Sequence, residues 1–232
     1  MRSSALILVL LGAAASPARA ADYLPLQVGN HWVYAGTSGG HEETSITATF
    51  ERNGATVSVM SYGAAGPNAG LLNFWTSESD GDVLLWGVDR QVEGFGWYYD
   101  PPLRLVDAPL AVGKKWSQTS RRIDLSTGQP IDEITIGFEV YESTHLDLPA
   151  GGFDTYGIGQ SLPFGWFLGL AGEVTRLRQG PAQPAATNAV DWWCEGIGEV
   201  QFWTDQIYQL QSFDIATPTL ANSWGEVKRR YR

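Results

Sequence analysis

Apolar and polar residues alternate in short runs along most of the chain. In residues 43–52 (ETSITATFER), Thr44, Ile46, Ala48 and Phe50 fall on one side; in 55–62 (ATVSVMSY), Val57 and Val59 alternate with polar partners. A period of two puts successive side chains on opposite faces, so both segments predict half-buried β-strands. Asn53-Gly54 between them predicts a tight hairpin, because a type I′ turn needs positive φ at both central residues. The pattern recurs in 71–79 and 82–89 around Asp80-Gly81, which predicts a second turn of the same type. Further runs predict strands at 94–99, 115–125, 131–143, 153–160, 165–178, 189–194, 198–204 and 206–214, with Thr127-Gly128-Gln129-Pro130 breaking the third long pair.

No window of a dozen residues carries a sustained apolar stripe at helical spacing. Residues 164–178 (FGWFLGLAGEVTRLR) come nearest, and their three glycines favour a bent strand. The segment 180–188 (GPAQPAATN) reads as a loop or insert within one domain, since strand signals resume after it. The chain is therefore predicted to be all-β: an antiparallel, strongly curved sheet, forming a half-barrel or open barrel.

One motif occurs twice. Pro25-Leu26-Gln27-Val28-Gly29-Asn30-His31-Trp32 returns as Pro109-Leu110-Ala111-Val112-Gly113-Lys114-Lys115-Trp116. Proline suits a segment leading into a strand, glycine permits a left-handed turn, and tryptophan anchors the next strand by burying a large ring. Each copy precedes a hairpin, at 43–62 and 117–143. The repeat is either a trace of two duplicated β-meander halves or one turn device used twice.

The N-terminus changes the composition. Residues 1–20 (MRSSALILVLLGAAASPARA) join a basic start, an apolar run and Ala18-Arg19-Ala20, which predicts a signal peptide cleaved after Ala20. The apolar run is shorter than the ~20 residues that span a bilayer, so no transmembrane segment is expected in the mature chain. A single β-rich domain is expected over 21–216 and a tail over 217–232, the latter ending in Lys228, Arg229, Arg230 and Arg232. Between residues 21 and 227 stand 9 basic and 25 acidic side chains, a net −16. That balance argues against nucleic acid as a partner, because phosphate binding needs basic surface. The single cysteine excludes an internal disulfide or a multi-cysteine zinc site. Periplasmic or secreted localisation follows from the signal peptide.

Candidate chemistry is thin. Gly36-Thr37-Ser38-Gly39-Gly40 is like a serine-protease loop, but too little chain precedes it to supply His and Asp; a hairpin loop explains it. Gly159-Gln160-Ser161-Leu162-Pro163 lacks the last glycine of a nucleophile elbow. His31, His41 and His145 show no metal-ligand spacing, and at most His41 and Glu43 share a strand face. Asp80-Gly81-Asp82 lacks the further oxygens a calcium loop needs. Asp132/Glu133 and Glu139/Glu142 are the carboxylate pairs a glycosidase reading would use. Cys194, between tryptophans and an acid, reads as an inert buried thiol. No catalytic residue, metal or cofactor is assigned. The ten tryptophans are core anchors by default, and an aromatic-lined concavity is the functional alternative.

PLQVGNHWVY (25–34), WYYDPP (97–102) leading to PLAVGKKW (109–116), LPAGGF (148–153) and WWCEGIGEV (192–200) appear in a consistent order. In these motifs the chain resembles a group of bacterial exported proteins of uncharacterised function, the TapB-like family, over roughly residues 23–213. Two stretches depart from that pattern: Trp193-Cys194-Glu195 stands where the family usually has Tyr and small or Pro residues, and Glu199 stands where it has an apolar residue. The resemblance implies a curved antiparallel sheet similar to lipoprotein-carrier half-barrels and implies no catalytic residues. The expectation is an exported, non-enzymatic β-protein that binds a hydrophobic, lipid-like ligand or serves the cell envelope, with ligand-binding residues left open. The alternatives are an exported glycan-acting hydrolase and an assembly module that docks through a sheet edge.

Overall fold

The computed structural model describes residues 22–161, 190–204 and 206–215. Twelve strands account for most of them, and no helix occurs among the described residues. The first six are β1 (His31–Gly36), β2 (His41–Arg52), β3 (Ala55–Tyr62), β4 (Leu71–Ser77), β5 (Val83–Arg90) and β6 (Phe95–Val106). The second six are β7 (Lys115–Asp124), β8 (Pro130–Leu148), β9 (Gly151–Ser161), β10 (Val190–Cys194), β11 (Gly198–Trp203) and β12 (Ile207–Asp214). Every neighbour in sequence is a neighbour in space, all pairs are antiparallel, and β1 pairs with β12 to close the barrel.

The all-β antiparallel expectation holds, whereas the half-barrel or open barrel does not. Closure depends on β1, the one strand the alternation pattern left out: only Trp32 and Tyr34 are buried in it, too few to register as a run. Once formed, it pairs with β2 on one side and offers its other edge to β12, from His31↔Asp214 to Gly36↔Tyr208. The Asn53-Gly54 turn is of the predicted kind, with φ of 51° and 81°. At Asp80-Gly81 only Gly81 has positive φ, at 97°. Its N–H donates to Glu78 O (3.0 Å) and Glu78 N–H to Asp82 O (2.8 Å), giving a three-residue loop with a glycine bulge. Phe50 also departs from expectation. A register shift between Ile46 and Ala48 turns the end of β2 over, and Phe50 packs edge-on against Phe74, 5.7 Å away, with partial exposure. The strand predicted at 165–178 lies outside the described residues.

The sequence repeat is a structural repeat. In both copies a turn is closed by the residue after the glycine, Asn30 N–H to Gln27 O (3.0 Å) and Lys114 N–H to Ala111 O (2.9 Å). Gly29 and Gly113 have φ of 97° and 84°. Each turn then clamps a strand by two hydrogen bonds: Gly29 and Asn30 hold Ile46 of β2, and Gly113 and Lys114 hold Val140 of β8. The strand register shifts immediately after both clamped residues. The side chains after the glycines reach back to the same carbonyl, Asn30 Nδ2 to Pro25 O (2.8 Å) and Lys114 Nζ to Pro109 O (3.1 Å). Further on, β4/β5 shift at Phe74/Trp75 and β10/β11 at Trp192/Trp193. β2 and β8, and β4 and β10, thus carry the same devices six strands apart.

The interior is apolar and rich in rings, including Trp32, Trp75, Tyr99, Phe138 and Trp193. The outward positions hold His41, Glu43, Lys115, Arg121, Glu133 and Glu142, all exposed. That order is the reverse of a membrane-spanning barrel, which faces lipid with apolar residues. No helix among the described residues is long and apolar enough to cross a membrane. At one end of the barrel, residues 22–30 pack Tyr23 and Leu24 against the core. Asp22 secures this plug: its carbonyl accepts from Gly196 N–H (2.7 Å) and its carboxylate from Ser77 Oγ (3.0 Å).

Candidate functional site

Among the described residues the barrel holds a small cavity, toward the end where residues 63–70 connect β3 to β4. Six strands supply its wall. On β1, β2 and β3 the inward positions are even-numbered, giving Trp32 and Tyr34, Glu42 and Thr44, then Met60 and Tyr62. Trp75 of β4 and Trp193 of β10 enter beside the two matching register shifts. On β11 the bulge at Val200 does something a regular strand cannot: Glu199 and Phe202, three positions apart, both face inward. Leu24 from the plug and Asn68 from the connection complete the lining. Gly66 lets that connection lie directly on Glu42. Its φ is +101°, and an added Cβ would stand 2.7 Å from His41 O and 3.0 Å from Glu42 Cβ.

Carboxyl groups dominate the electrostatics. Glu42 is wholly buried; its two oxygens accept from Asn68 N–H (3.2 Å) and Asn68 Nδ2 (3.0 Å). Burial outweighs those bonds and pushes its pKa up to about 7. Asp191 accepts from Gln160 Nε2 at 2.9 Å, and burial lifts it to about 7 as well. Glu199 is raised well above the carboxylate range, first by burial and then by the like charges of Asp191 and Glu42. Tyr34, which donates from its hydroxyl to Glu199 O at 2.9 Å, and Tyr62 are likewise held far above their usual range by burial and by these acids. None of the twelve described lining residues is Lys, Arg or His. At neutral pH the cluster therefore holds protons that exposed carboxyls would have lost.

Two lining side chains also carry buried polar atoms with no protein partner, the Trp75 indole Nε1 and Glu199 Oε1. The free space for the centre of a water-sized group is about 20 Å³, enough for roughly one water or one group of that size. The site can thus receive a small polar group, give it an indole N–H or a carboxyl oxygen, and exchange a proton with it.

Of the residues singled out from the sequence, Trp32, Trp75 and Trp193 line the cavity, and the histidines, carboxylate pairs, serine loop and cysteine lie elsewhere. His41 Nε2 meets Glu43 Oε1 at 2.7 Å with His31 nearby at 3.7 Å, all on the outside. His145 sits exposed between Asp154 (2.8 Å) and Asp147 (3.6 Å). Asp132 pairs with Arg122 and Glu139 with Lys115 (2.9 Å); neither carboxylate pair of the glycosidase reading lines the cavity. Asp82 is occupied by Ala108 N–H (2.7 Å) and Arg104 (2.8 Å), and Ser38 lies in the β1–β2 turn with its N–H on Gln206 Oε1 (2.6 Å). Cys194 is half-buried rather than buried; desolvation pushes its thiol up to about 11. Among the tryptophans, 32, 75, 86, 97 and 193 are buried and Trp203 is partly exposed; Trp166 and Trp224 lie outside the described residues. Glu42, Asp191 and Glu199 went unassigned. One signal pointed to them: Glu199 as an acid at an apolar motif position.

No family model matches the chain, and no curated protein matches it. Two solved structures are similar to it in shape. One is a candidate exported protein with a YmcC-like fold from Bacteroides fragilis, at 15% identity and a TM-score of 0.39. The other is a candidate lipoprotein from Parabacteroides distasonis, at 11% identity and a TM-score of 0.38. Each match covers 84% of this chain and 99% of the other.

Proposed function

We propose that this chain is an exported, non-enzymatic binding protein that takes a small polar ligand, or the polar tip of a larger one, into the acidic pocket of its barrel. The observation that carries this reading is the pair of unpartnered polar atoms, Trp75 Nε1 and Glu199 Oε1, in the wall of one cavity. Other buried polar atoms, Trp97 Nε1 and Gln160 Oε1 among them, also lack a protein partner, but these two share one cavity with room for a partner. The signal peptide at 1–20 and the ordered motifs similar to the TapB-like family support export. An acyl chain is a poor match to the pocket, because room for roughly one water-sized group among buried carboxyls suits one polar group. The same size argues against glycan hydrolysis, since a sugar ring must lie between the two carboxyls. Docking through a sheet edge loses its basis in a closed barrel, which leaves no free edge.

Native mass spectrometry of the protein purified without denaturation from its own source tests the reading. A small adduct is expected on the wild type and not on Glu199→Leu, which fills the cavity. A bare wild-type mass, with a Trp75 indole proton exchanging as fast as that of a surface tryptophan, overturns it.

A further inference from the structure

Resting on that reading, we infer that residues 63–70 form the door of the pocket, which Glu42 holds shut and releases as it ionises with rising pH. The connection is built as a loop that can move in one piece. Gly70 N–H donates to Gly63 O at 3.1 Å and Gly63 N–H to Glu43 O at 2.8 Å, so its two ends are tied together beside β2. The part between them can swing without breaking the β3–β4 pairing, which ends at Ser61↔Leu72. Residues 64–67 and Ala69 are exposed, whereas Asn68 is buried and forms part of the pocket wall. Asn68 is held there by Glu42, to which it donates from its backbone N–H (3.2 Å) and from Nδ2 (3.0 Å). Gly66 lies directly on the same residue. Lifting the loop therefore takes Asn68 off Glu42 and opens the wall in which Trp75 Nε1 and Glu199 Oε1 stand unpartnered.

With the door closed, Glu42 is cut off from water. It faces Asn68, Tyr34 of β1, Tyr62 of β3 and Glu199 of β11, and the lining holds no positive side chain to steady its charge. Its strand neighbours His41 and Glu43 pair with each other on the outside. Burial outweighs the two Asn68 bonds, so the closed site keeps its proton up to about pH 7. With the door open, water reaches the carboxyl, which returns to the ordinary range near ~4.3. Between those values the closed state binds one more proton than the open one, and rising pH favours opening. Tyr34 and Tyr62 are neutral throughout, and Glu199 keeps its proton beyond this window. Asp191, bonded to Gln160 of β9, acts on Glu199 and Tyr62, which leaves Glu42 to set the response of the loop.

Hydrogen exchange followed by NMR from pH 5 to pH 8, with each rate corrected for its intrinsic pH dependence, tests the inference. The Asn68 amide should exchange ahead of the slowest core amides at every pH, because the door opens without unfolding the barrel. Its protection should fall about fortyfold from pH 5 to pH 7 and only about twofold from pH 7 to pH 8. The Trp75 indole proton should follow the same curve, because the open door admits water to the cavity. Glu42→Gln cannot ionise, so its Asn68 protection, whatever its level, should not vary with pH. Circular dichroism confirms the barrel of that variant, and the wild-type curve decides the matter if the variant does not fold. Asn68 protection that is constant with pH, or Asn68 exchange in step with the slowest core amides, overturns the inference. So does a Trp75 indole that does not follow Asn68. An adduct in native mass spectrometry stands under each of these outcomes, so the door and the pocket reading fail separately.

Discussion

Single residues in this barrel differ mainly in whether their polar atoms are paired. Trp32 and Trp75 are both fully buried. The Trp32 indole donates to Ile197 O at 2.7 Å, whereas the Trp75 indole has no protein partner. Trp32→Phe strands a buried carbonyl and should cost about 1–3 kcal/mol beyond its lost packing; Trp75→Phe should cost only the packing. Urea unfolding of the two variants checks the contrast, and equal losses contradict it. Glu199 shows how far a residue can be read before folding. Its acidic character at an apolar motif position was visible, but its inward direction was not, because that depends on a bulge at Val200 that alternation alone cannot reveal. Glu42 was hidden differently. It sits in a run of polar residues, His41-Glu42-Glu43, whose outer members face solvent and disguise the middle one.

At the scale of elements, hairpins were legible and closure was not. Strand ends at Arg52/Ala55 and at Asp124/Pro130 follow from Asn-Gly and Thr-Gly turns that local chemistry specifies. β1 escaped because its pairing with β12 joins residues 172 to 183 positions apart, and no local pattern encodes such a contact. The duplicated turns offer a clean comparison. Gly29 and Gly113 both have positive φ and open space where a side chain would go, so alanine meets only backbone strain. Gly29→Ala and Gly113→Ala should each cost about 1–2 kcal/mol, and the double variant should show the sum, measured by thermal unfolding. A cost at one site only would mean that the two turns are not the same device. Gly66→Ala is different in kind: the new methyl group meets His41 O and Glu42, so it should loosen the 63–70 connection and speed exchange of the Asn68 amide.

For the whole molecule, the buried acids make stability a function of pH. Glu42 and Asp191 have folded-state pKa values raised to about 7 by burial. The folded state therefore holds more protons than the unfolded one between the ordinary carboxylate range and pH 7. Stability should be greatest in acid, fall by about 1.4 kcal/mol per pH unit for each group as pH rises toward 7, and fall less steeply above it, where Glu199 alone still holds its proton. Asp132, lowered by its bond to Arg122, acts with the opposite sign, its contribution fading only as pH falls below the usual carboxylate range. Chemical denaturation from pH 5 to pH 8 should give that descending curve, and Glu42→Gln should remove about half of its slope, Asp191 keeping the rest. The central claim is that a closed barrel holds uncharged carboxyls in an internal pocket. The most direct measurement is a pH titration of the side-chain carboxyl carbons by 13C NMR. The Glu42 carboxyl should show a midpoint near 7, and Glu199 should stay protonated beyond it. If all 25 acidic side chains titrate below about pH 5, the pocket is not sealed and the account is contradicted.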